Sequence, residues 1–359
     1  MPEGFSFLFI DDCASVCETL AYQAKALGDQ VTLLLHRRGL TTYRQLDDDT
    51  YYIDTTRLTP TIRTIPELMR IRKYDAVIVS SRVGWATGAI IKGIFGTKMI
   101  TVLHGSDIRR LAKVSLPKRE MLRLALKRSN YVFYASLDLE LLTRNMGRPY
   151  SRLKYPIDTQ IFSQKGEAIP LDGTPSVFVP TRLDADKGFS RIGNLVAHVL
   201  KNYPKSKIYA VRWPGTDSVL NALKLNDINR VELVDFMTRT SLPKYYRGAS
   251  VVIGQMHLGF GSMTECEAMS CGVPVVFYDK YYGYGCLDRN EETLRNFFDA
   301  VVSDDDFRRD RVSFGRRLIE EAYDSRKVFS SFKDVVAQVT KAGAGQYQTP
   351  LGEDRQRRS

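Results

Sequence analysis

The sequence predicts an α/β protein with two doubly wound domains, each a parallel sheet with helices on both faces. Its 359 residues are enough for two domains with separate hydrophobic cores. Along both halves of the chain, short and continuous apolar runs alternate with helical patterns. Continuous runs are typical of strands buried on both faces, as in a parallel sheet covered by helices.

The two halves show the same alternation of strands and helices. In the first half, strands are predicted at residues 5–10, 30–35, 75–79, 98–103 and 131–135, with helices at 15–27, 65–72 and 85–95. In the second half, strands are predicted at residues 176–180, 207–211, 231–234, 251–253 and 273–277. Three successive helices are then predicted at residues 291–302, 306–323 and 327–341.

Composition changes predict the domain boundaries. Residues 163–175 contain two glycines and two prolines, which is typical of a linker. We therefore expect an N-terminal domain over residues 1–162 and a C-terminal domain over 176–325, facing a central cleft. Residues 326–342 are expected to form a final helix, and residues 343–359, which lack periodicity, a disordered tail.

Charge and composition limit the partners and the environment. With 52 Lys and Arg against 41 Asp and Glu, the formal charge is +11. Nucleic acid, anionic lipid or phosphorylated substrates fit this charge, as does a solvated basic face. The longest apolar stretch, residues 76–96, is broken by Arg82 and Lys92, which disfavours a membrane span. No charged signal region and no CxxC pair are present, so we expect a cytoplasmic protein without disulfides or zinc.

The segment 257–276, HLGFGSMTECEAMSCGVPVV, predicts an anion site. It consists of a glycine-bearing loop, a short helix, and Gly272 before a buried strand. Such a loop brings backbone N–H groups and a positive helix end to one point, where a phosphate can lie. Ser262 and Glu265 fit a capping box. Glu267, two positions further on, points to another face and can accept hydrogen bonds from a ribose, so we interpret the segment as a nucleotide-sugar site.

Two cations follow the strand predicted at residues 176–180. Arg182 and Lys187 lie in the loop before the next helical pattern. An arginine fork and a lysine point charge together can hold a diphosphate. An arginine and a lysine at this spacing are common on protein surfaces. The pair supports a diphosphate site only because it is predicted at the same sheet edge as the loop before Glu267.

Polar residues also follow strands in the first half. His104 comes directly after the strand at 98–103, and both a structural and a catalytic role fit it. Asp107 fits either a helix cap or a contact to a polar ligand. Asp11 and Asp12 follow the first strand, where acceptor binding and helix capping are equally compatible with the sequence.

Taken in order, these segments resemble the retaining GT-B glycosyltransferases of the large fourth sequence family, which includes sucrose synthases and mannosyltransferases. The resemblance is carried by residues 179–192 and the Glu267 segment. Three further segments agree with it, at residues 104–107 (HGSD), 154–162 (KYPIDTQIF) and 245–249 (YYRGA). It extends over residues 5 to about 339.

The resemblance implies a role for each donor-side residue. Arg182 and Lys187 would neutralise the leaving diphosphate, and Glu267 would bind the ribose hydroxyls. The backbone N–H groups offered to phosphate or sugar would be those of Gly261, Ser262 and Met263. His104 would lie across the cleft near the transferred sugar. Members of the family generally need no metal or other cofactor, and the final helix is expected to cross back onto the first domain.

Two departures from the family pattern stand out. The E-x(7)-E pattern ends at Glu267 but begins at Gly259, and aligning the glycines instead places Leu258 at the acid. Neither alignment gives a carboxylate. That first acid usually contacts the donor sugar, so the departure concerns the donor. The first loop reads DDCA from Asp11 and lacks the glycine pair common in the family.

The leading hypothesis is a retaining hexosyltransferase that moves a sugar from a nucleoside diphosphate to a saccharide or lipid-linked acceptor. A non-catalytic GT-B protein that binds a nucleotide sugar or a partner is the alternative. A nucleic-acid glucosyltransferase is a third hypothesis, although no groove-reading helix or stacking platform is recognisable. Residues 118–129, KREMLRLALKRS, either pack on the sheet or contact anionic lipid at the inner membrane face.

Overall fold

The structure is a computed structural model that describes residues 4–12, 15–35, 50–52, 74–109, 115–223 and 227–341. The chain divides into two compact units. Unit 1 comprises Met1–Pro156 and Ser325–Ser359, and unit 2 comprises Ile157–Asp324. Each unit has one parallel sheet with helices, so the predicted α/β class of two doubly wound units is confirmed.

Unit 1 contains a seven-stranded sheet in the order β3-β2-β1-β4-β5-β6-β7, with every pair parallel. The strands are β1 Ser6–Ile10, β2 Gln30–Leu35, β3 Thr50–Tyr52, β4 Ala76–Ser80, β5 Lys98–Leu103, β6 Tyr131–Tyr134 and β7 Tyr150–Arg152. The helices before the unit boundary are α1 Val16–Ala26, α2 Ser81–Phe95, α3 Ser106–Arg109, α4 Leu116–Lys127 and α5 Glu140–Arg144. Helices α2 and α4 bury Trp85, Ile91 and Leu126 in one core with the strands.

Unit 2 contains a five-stranded parallel sheet in the order β10-β9-β8-β11-β12. Its strands are β8 Ser176–Val179, β9 Lys207–Val211, β10 Val231–Val234, β11 Val251–Ile253 and β12 Val275–Val276. Its helices are α6 Phe189–Asn202, α7 Thr216–Leu223, α8 Leu242–Gly248, α9 Met263–Ser270, α10 Glu291–Ser303 and α11 Asp305–Ala322. Since β8 is central, the loops that follow β8 and β11 leave the same edge of the sheet side by side.

The last helix, α12 (Ser325–Lys341), belongs to unit 1. The ring of Phe332 lies 5.3 Å from that of Phe133 and 6.4 Å from that of Phe7. At the edge of this aromatic core, the ammonium of Lys333 contacts the buried carboxylate of Asp29 at 2.7 Å. Apolar burial therefore holds the end of the chain against the strands that begin it.

The predicted strands agree with the observed ones within one or two residues at each end. The largest difference is at 273–277, where only Val275–Val276 forms a strand. Pro274 has no N–H to donate to a ladder, although its carbonyl accepts from Val252 at 3.0 Å. Helix α2 starts at Ser81, earlier than predicted. The helix predicted at 65–72 and the tail at 343–359 lie outside the described residues.

The segment predicted as a linker, residues 163–175, is bound to unit 2. The guanidinium of Arg247 donates to the carbonyls of Ser163 and Glu167. The N–H of Ile169 donates to the carbonyl of Lys244 at 3.1 Å. The unit boundary accordingly falls at 156/157 and not at 162/163. Local composition could not show this, because the contacts come from residues some 80 positions away in the chain.

We predict that Phe332→Ala loosens α12 without affecting unit 2. Removing a buried ring from this core is expected to cost about 3–5 kcal/mol of unfolding free energy, because it leaves a cavity among aromatic side chains. Limited proteolysis should then cleave at Arg326 or Lys327. In Phe332→Leu, which keeps apolar contact, the loss should stay below about 1.5 kcal/mol. Equal proteolytic resistance of Phe332→Ala and the unaltered protein would show that α12 is held by other contacts.

Candidate nucleotide-sugar site

Two loops of unit 2 touch at the carboxyl edge of its sheet. The loop after β8 carries Arg182 and Lys187 and ends at Gly188, whose φ is +77°. A Cβ at Gly188 would lie 2.9 Å from the carbonyl carbon of Met256, in the loop after β11. The N–H of Met256 donates to the carbonyl of Lys187 at 2.8 Å. Glycine is needed here because the two backbones approach so closely.

This contact places a cation at a helix N-terminus. Ser262 is the N-cap of α9, and the ammonium of Lys187 lies 3.4 Å from its hydroxyl oxygen. The first N–H groups of a helix and a nearby lysine both favour negative charge. The loop residues Gly261, Ser262 and Met263 lie at this end of the helix, as predicted. The arrangement can hold an anion such as a phosphate.

Arg182 lies in the same loop with its guanidinium partly exposed. Its nearest acid is Asp184, at 3.5 Å. The Asp184 carboxylate also accepts from the N–H of Lys187 at 3.1 Å and so caps the short turn at residues 185–187. A half-exposed ion pair contributes little to stability. The guanidinium is therefore able to exchange this contact for one with a bound anion.

Gln255, which the sequence analysis missed, fixes the loop between β11 and α9. It is fully buried. Its amide nitrogen donates to the carbonyl of Phe260 at 2.6 Å, and its amide oxygen accepts from the N–H groups of His257 and Leu258. One side chain thus satisfies three backbone groups of a loop that has no ladder of its own.

Glu265 completes the same loop from the helix side. One carboxylate oxygen accepts from the N–H of Gln255 at 2.8 Å, and the other accepts from the N–H and hydroxyl of Ser262. The predicted capping box is therefore confirmed. A side chain at Gly254 would overlap this carboxylate, since its Cβ would lie 2.5 Å from an oxygen of Glu265. Glu265 is structural and is not available to a ligand.

Glu267 is buried beneath the loop and paired with a residue that the sequence did not single out. The guanidinium of Arg239, which follows β10, donates to one carboxylate oxygen, and the hydroxyl of Tyr246 contacts the other at 3.3 Å. Arg239 also lies over the ring of Phe162, 5.4 Å from its centroid. Burial raises the pKa of Glu267 to about 7, although Arg239 acts against this shift. Arg239 thereby favours the charged form, which accepts hydrogen bonds.

An aromatic pair stands at the ends of β9 and β10 on the same edge. Trp213 and Phe236 meet edge to face, with ring centroids 4.6 Å apart. The indole N–H of Trp213 donates to the carbonyl of Pro180, at the start of the loop that carries Arg182. Both rings are half-buried, so they offer an apolar surface beside the two cations. The sequence analysis missed this pair because the partners lie far apart in the chain.

At Gly259, where the family's acid is missing, any side chain would be strained in this loop. Its φ is +77°, and a Cβ would lie 2.9 Å from the ring of Tyr278 and 3.2 Å from the Cβ of Lys280. Its carbonyl accepts from the N–H of Lys280 at 2.8 Å. The glycine follows from the fold of the loop, because the segment after β12 occupies the space beside it.

In unit 1, His104 is buried directly after β5. A ring nitrogen lies 2.9 Å from the hydroxyl of Ser80, and its carbonyl accepts from the hydroxyl of Ser136 at 3.0 Å. These contacts fix the ring at the carboxyl edge of the unit 1 sheet. Asp107 lies in the first turn of α3.

The two acids after β1 both accept hydrogen bonds within unit 1. The Asp12 carboxylate accepts from the N–H groups of Cys17 and Glu18 and so caps α1, one of the two roles that the sequence left open. Burial, and then the neighbouring Glu18, raise the pKa of Asp12 to about 7. Asp11, at a φ of +62°, accepts from the hydroxyl of Ser81. Among the described residues, no three His, Cys, Asp or Glu are grouped to hold a metal ion.

Solved structures share this two-unit fold. Sucrose-phosphate synthase from Thermosynechococcus elongatus matches with a TM-score of 0.71 at 15% identity, over 94% of this chain and 100% of that chain. HepE from Anabaena, in complex with UDP-glucose, matches with a TM-score of 0.72 at 15% identity, over 93% and 99%. An α-glucosyltransferase bound to UDP and a 13-mer DNA matches with a TM-score of 0.67 at 12% identity, over 92% and 98%. The fold is that of the GT-B glycosyltransferases.

The family follows from the sequence of unit 2. The sequence model of the glycosyl transferases group 1 matches residues 163–307. This part of the chain, which contains both loops of the site, matches that family, and the match confirms the resemblance drawn from the motifs. A search of curated protein sequences finds no match.

We predict that Arg239→Met destabilises the protein more at pH 8 than at pH 5. The folded pKa of Glu267 lies above its ordinary 4.5, so this group contributes stability below about pH 4.5 that is lost as the pH rises through about 7. Without Arg239 the pKa rises further and the loss increases. At pH 8 we expect a cost of about 3–5 kcal/mol, measured by urea unfolding.

At pH 5 most of that cost should disappear, because Glu267 is then neutral in both proteins. The matched control is Arg316→Met, which removes an exposed ion pair with Glu320 and should cost less than about 1 kcal/mol at either pH. A cost for Arg239→Met that is equal at pH 5 and pH 8 would contradict this account of the pair.

We also predict that Gly259→Glu, which restores the family's acid by sequence, destabilises the protein. The positive φ and the contact with the Tyr278 ring together are expected to cost about 1–3 kcal/mol. Leu258→Glu is the control, because Leu258 is only half-buried and is held through its N–H group. In thermal unfolding, the unaltered protein should have the highest unfolding temperature, Leu258→Glu the next and Gly259→Glu the lowest. A Gly259→Glu variant as stable as the unaltered protein would show that the loop can rearrange.

Proposed function

We propose that this protein is a retaining hexosyltransferase that moves a sugar from a nucleoside diphosphate to a saccharide or lipid-linked acceptor. The observation that carries the proposal is the meeting of Lys187 with Ser262 at the N-terminus of α9. A lysine ammonium, a half-exposed arginine and the N-terminus of a helix converge at one sheet edge. This is the arrangement that a leaving diphosphate requires.

In this proposal, Arg182 and Lys187 neutralise the charge that develops on the diphosphate as the glycosidic bond breaks. At the N-terminus of α9, the backbone N–H groups of Gly261 and Met263 bind the phosphate or the sugar, whereas that of Ser262 already donates to Glu265. Protein cations take the role that a divalent metal has in other transferases, so no metal and no other cofactor is invoked. The nucleotide sugar is a substrate.

Glu267 is proposed to accept hydrogen bonds from the ribose. Its ionised form is favoured by Arg239, and Tyr246 fixes the second oxygen. A ring face of the Trp213 and Phe236 pair is proposed to contact the base, since an aromatic face beside a diphosphate site suits a nucleobase. These rings do not distinguish uracil from guanine or adenine.

Unit 1 is proposed to bind the acceptor, with His104 near the transferred sugar. Its fixed ring lies at the carboxyl edge, where doubly wound sheets bind their ligands. Asp11 and Asp107 stay candidates for the acceptor side, whereas the carboxylate of Asp12 is occupied with capping α1. An acceptor in polysaccharide or glycolipid synthesis fits this proposal. We place the protein in the cytoplasm, in peripheral contact with the anionic inner membrane face.

The alternatives differ in what they require of the site. A GT-B protein that binds a nucleotide sugar without transfer would keep the phosphate contacts and lose only turnover. The glycine at 259 was its main support, and the geometry of the loop gives a structural reason for a glycine at this position. A nucleic-acid glucosyltransferase fits the charge of +11, but the structural likeness to such an enzyme is one of fold alone.

We predict that UDP, GDP or ADP, or one of their sugars, raises the thermal unfolding temperature. At a concentration about 100 times its dissociation constant, a ligand adds about 2.7 kcal/mol, or roughly 5–10 °C for a domain of this size. Arg182→Ala and Lys187→Ala should abolish the shift. Lys201→Ala, on the exposed side of α6, is the matched control and should keep it.

Tryptophan fluorescence gives an independent reading of the same titration. The chain has two tryptophans, and Trp85 is buried in unit 1. A bound base should change the emission of Trp213, and Trp213→Phe should remove the change. A full thermal shift in both cation variants would refute the site. Nucleotide binding without sugar transfer to any acceptor or to water would favour the non-catalytic alternative.

A further inference from the structure

The exposed apolar side chains of the described residues are concentrated on two helices. Eleven large hydrophobic side chains are exposed, and five of them lie on α2 and α4 of unit 1. We call this set the apolar face: Ile90, Ile94, Phe95, Leu116 and Leu124. Ile94 and Leu116 are 65% and 64% exposed, which is far more than core packing of these helices requires.

Both helices are nonetheless firmly packed on the sheet from their other side. Ala125 and Leu126 of α4 and Ile91 of α2 are buried in the core of unit 1. Packing on the sheet, one of the two alternatives for residues 118–129, is therefore observed for α4, which also exposes Leu124. The apolar face is a second surface, in addition to the one that holds the helix in place.

The C-terminal turns of α2 and α4 lie side by side. The guanidinium of Arg128, directly after α4, lies 3.4 Å from the carbonyl of Ala89 in α2. The ammonium of Lys92 donates to the carbonyl of Arg128 at 2.6 Å. Ile90 and Ile94 lie in the same turns of α2 as these contacts, but on the side of the helix away from the Lys92 ammonium. On α4, the exposed Leu124 lies between the exposed Arg123 and Lys127, so apolar and basic side chains share the exposed side of that helix.

The charges around the apolar face are almost all positive. On α4, Arg119, Arg123 and Lys127 accompany a single described acid, Glu120, which pairs with Arg123 at 2.9 Å. Next to α2, the pKa of Lys92 is lowered, first by burial and then by the like charges of Arg148, Lys98 and Arg128. Like charges held close together repel one another, and an anionic surface beside them offsets this repulsion.

We propose that the apolar face lies on an anionic bilayer, with its side chains among the headgroups and the surrounding cations on lipid phosphates. An apolar patch framed by lysine and arginine is the composition that binds such surfaces. A nucleic acid would use the cations but not the isoleucines. This inference specifies the membrane contact of the proposed function and rests on it.

Four of the five residues of the apolar face, Ile90, Ile94, Phe95 and Leu124, lie in the C-terminal turns of α2 and α4, away from the ligand edge of unit 1, whereas Leu116 begins α4. The C-terminal ends of α2 and α4 lie where β5 and β6 begin, since Asn130 binds both Lys92 and the backbone of Met99. His104 follows the opposite, carboxyl ends of the strands. Vesicle binding and ligand binding should therefore be separable, which allows each proposal to fail without the other.

The test is flotation of the full chain with vesicles of equal parts phosphatidylcholine and phosphatidylglycerol, compared with phosphatidylcholine alone. We expect flotation with the anionic vesicles, and release as the salt is raised. Arg123→Glu with Lys127→Glu should weaken binding about a hundredfold, and Ile94→Ser with Leu124→Ser about tenfold. Thermal unfolding should confirm that both variants are folded.

Two matched pairs serve as controls. Lys201→Glu with Lys205→Glu makes the same charge change on unit 2, and Leu141→Ser with Leu287→Ser removes two equally exposed leucines elsewhere. Both should float like the unaltered protein. No flotation at any salt concentration overturns the proposal, as does flotation that both control pairs reduce equally. The proposal is also overturned if Arg123→Glu with Lys127→Glu abolishes flotation but Ile94→Ser with Leu124→Ser does not. That result would indicate that the basic residues bind nucleic acid or an acidic protein.

The outcome is independent of the donor site. Arg182→Ala and Lys187→Ala should float normally even where nucleotide binding is lost. If the protein floats and no nucleotide shifts its unfolding temperature, the membrane inference holds and the proposed transferase fails. If a nucleotide shifts the unfolding temperature and the protein does not float, the proposed transferase stands and the membrane inference fails.

Discussion

The loop between β11 and α9 depends on two buried side chains that replace a hydrogen-bond ladder. Gln255 and Glu265 together satisfy the backbone N–H groups of the loop from inside, where water cannot reach them. Leaving such groups unpaired would cost several kcal/mol, roughly the stability of a small domain. The position of the α9 N-terminus, and hence of Ser262 beside Lys187, follows from this network.

Two acids two residues apart on α9 have opposite uses. Both carboxylate oxygens of Glu265 accept hydrogen bonds from backbone N–H groups, so this side chain has a structural role. Glu267 faces Arg239 and Tyr246, and because its partners are side chains it keeps the capacity to accept further hydrogen bonds. Burial works against the charge that makes Glu267 a good acceptor, and the buried guanidinium works for it. The pair is therefore better understood as a means of keeping a carboxylate ionised than as a source of stability.

The two units distribute their charge in different ways. In unit 2, Arg182 and Lys187 lie singly at the carboxyl edge of the sheet, Arg182 beside Asp184 and Lys187 beside Ser262. Unit 1 crowds cations around exposed isoleucine and leucine at the other edge of its sheet. The first arrangement suits one small anion, and the second suits an extended anionic surface.

By itself, the sequence determined the local parts of this protein. Continuous apolar runs predicted the strands, and the capping box at Ser262 and Glu265 was readable because helix capping depends on residues three positions apart. The motif order predicted the GT-B class, and Arg182 and Lys187 were placed in the loop that they occupy. Contacts between distant segments were decided only by the tertiary structure. Arg239 is 28 residues from Glu267, Trp213 is 33 from Pro180, and Gly259 is excluded from carrying an acid by a ring at position 278. No local pattern contains these pairs, because they exist only once the sheet has aligned the ends of its strands.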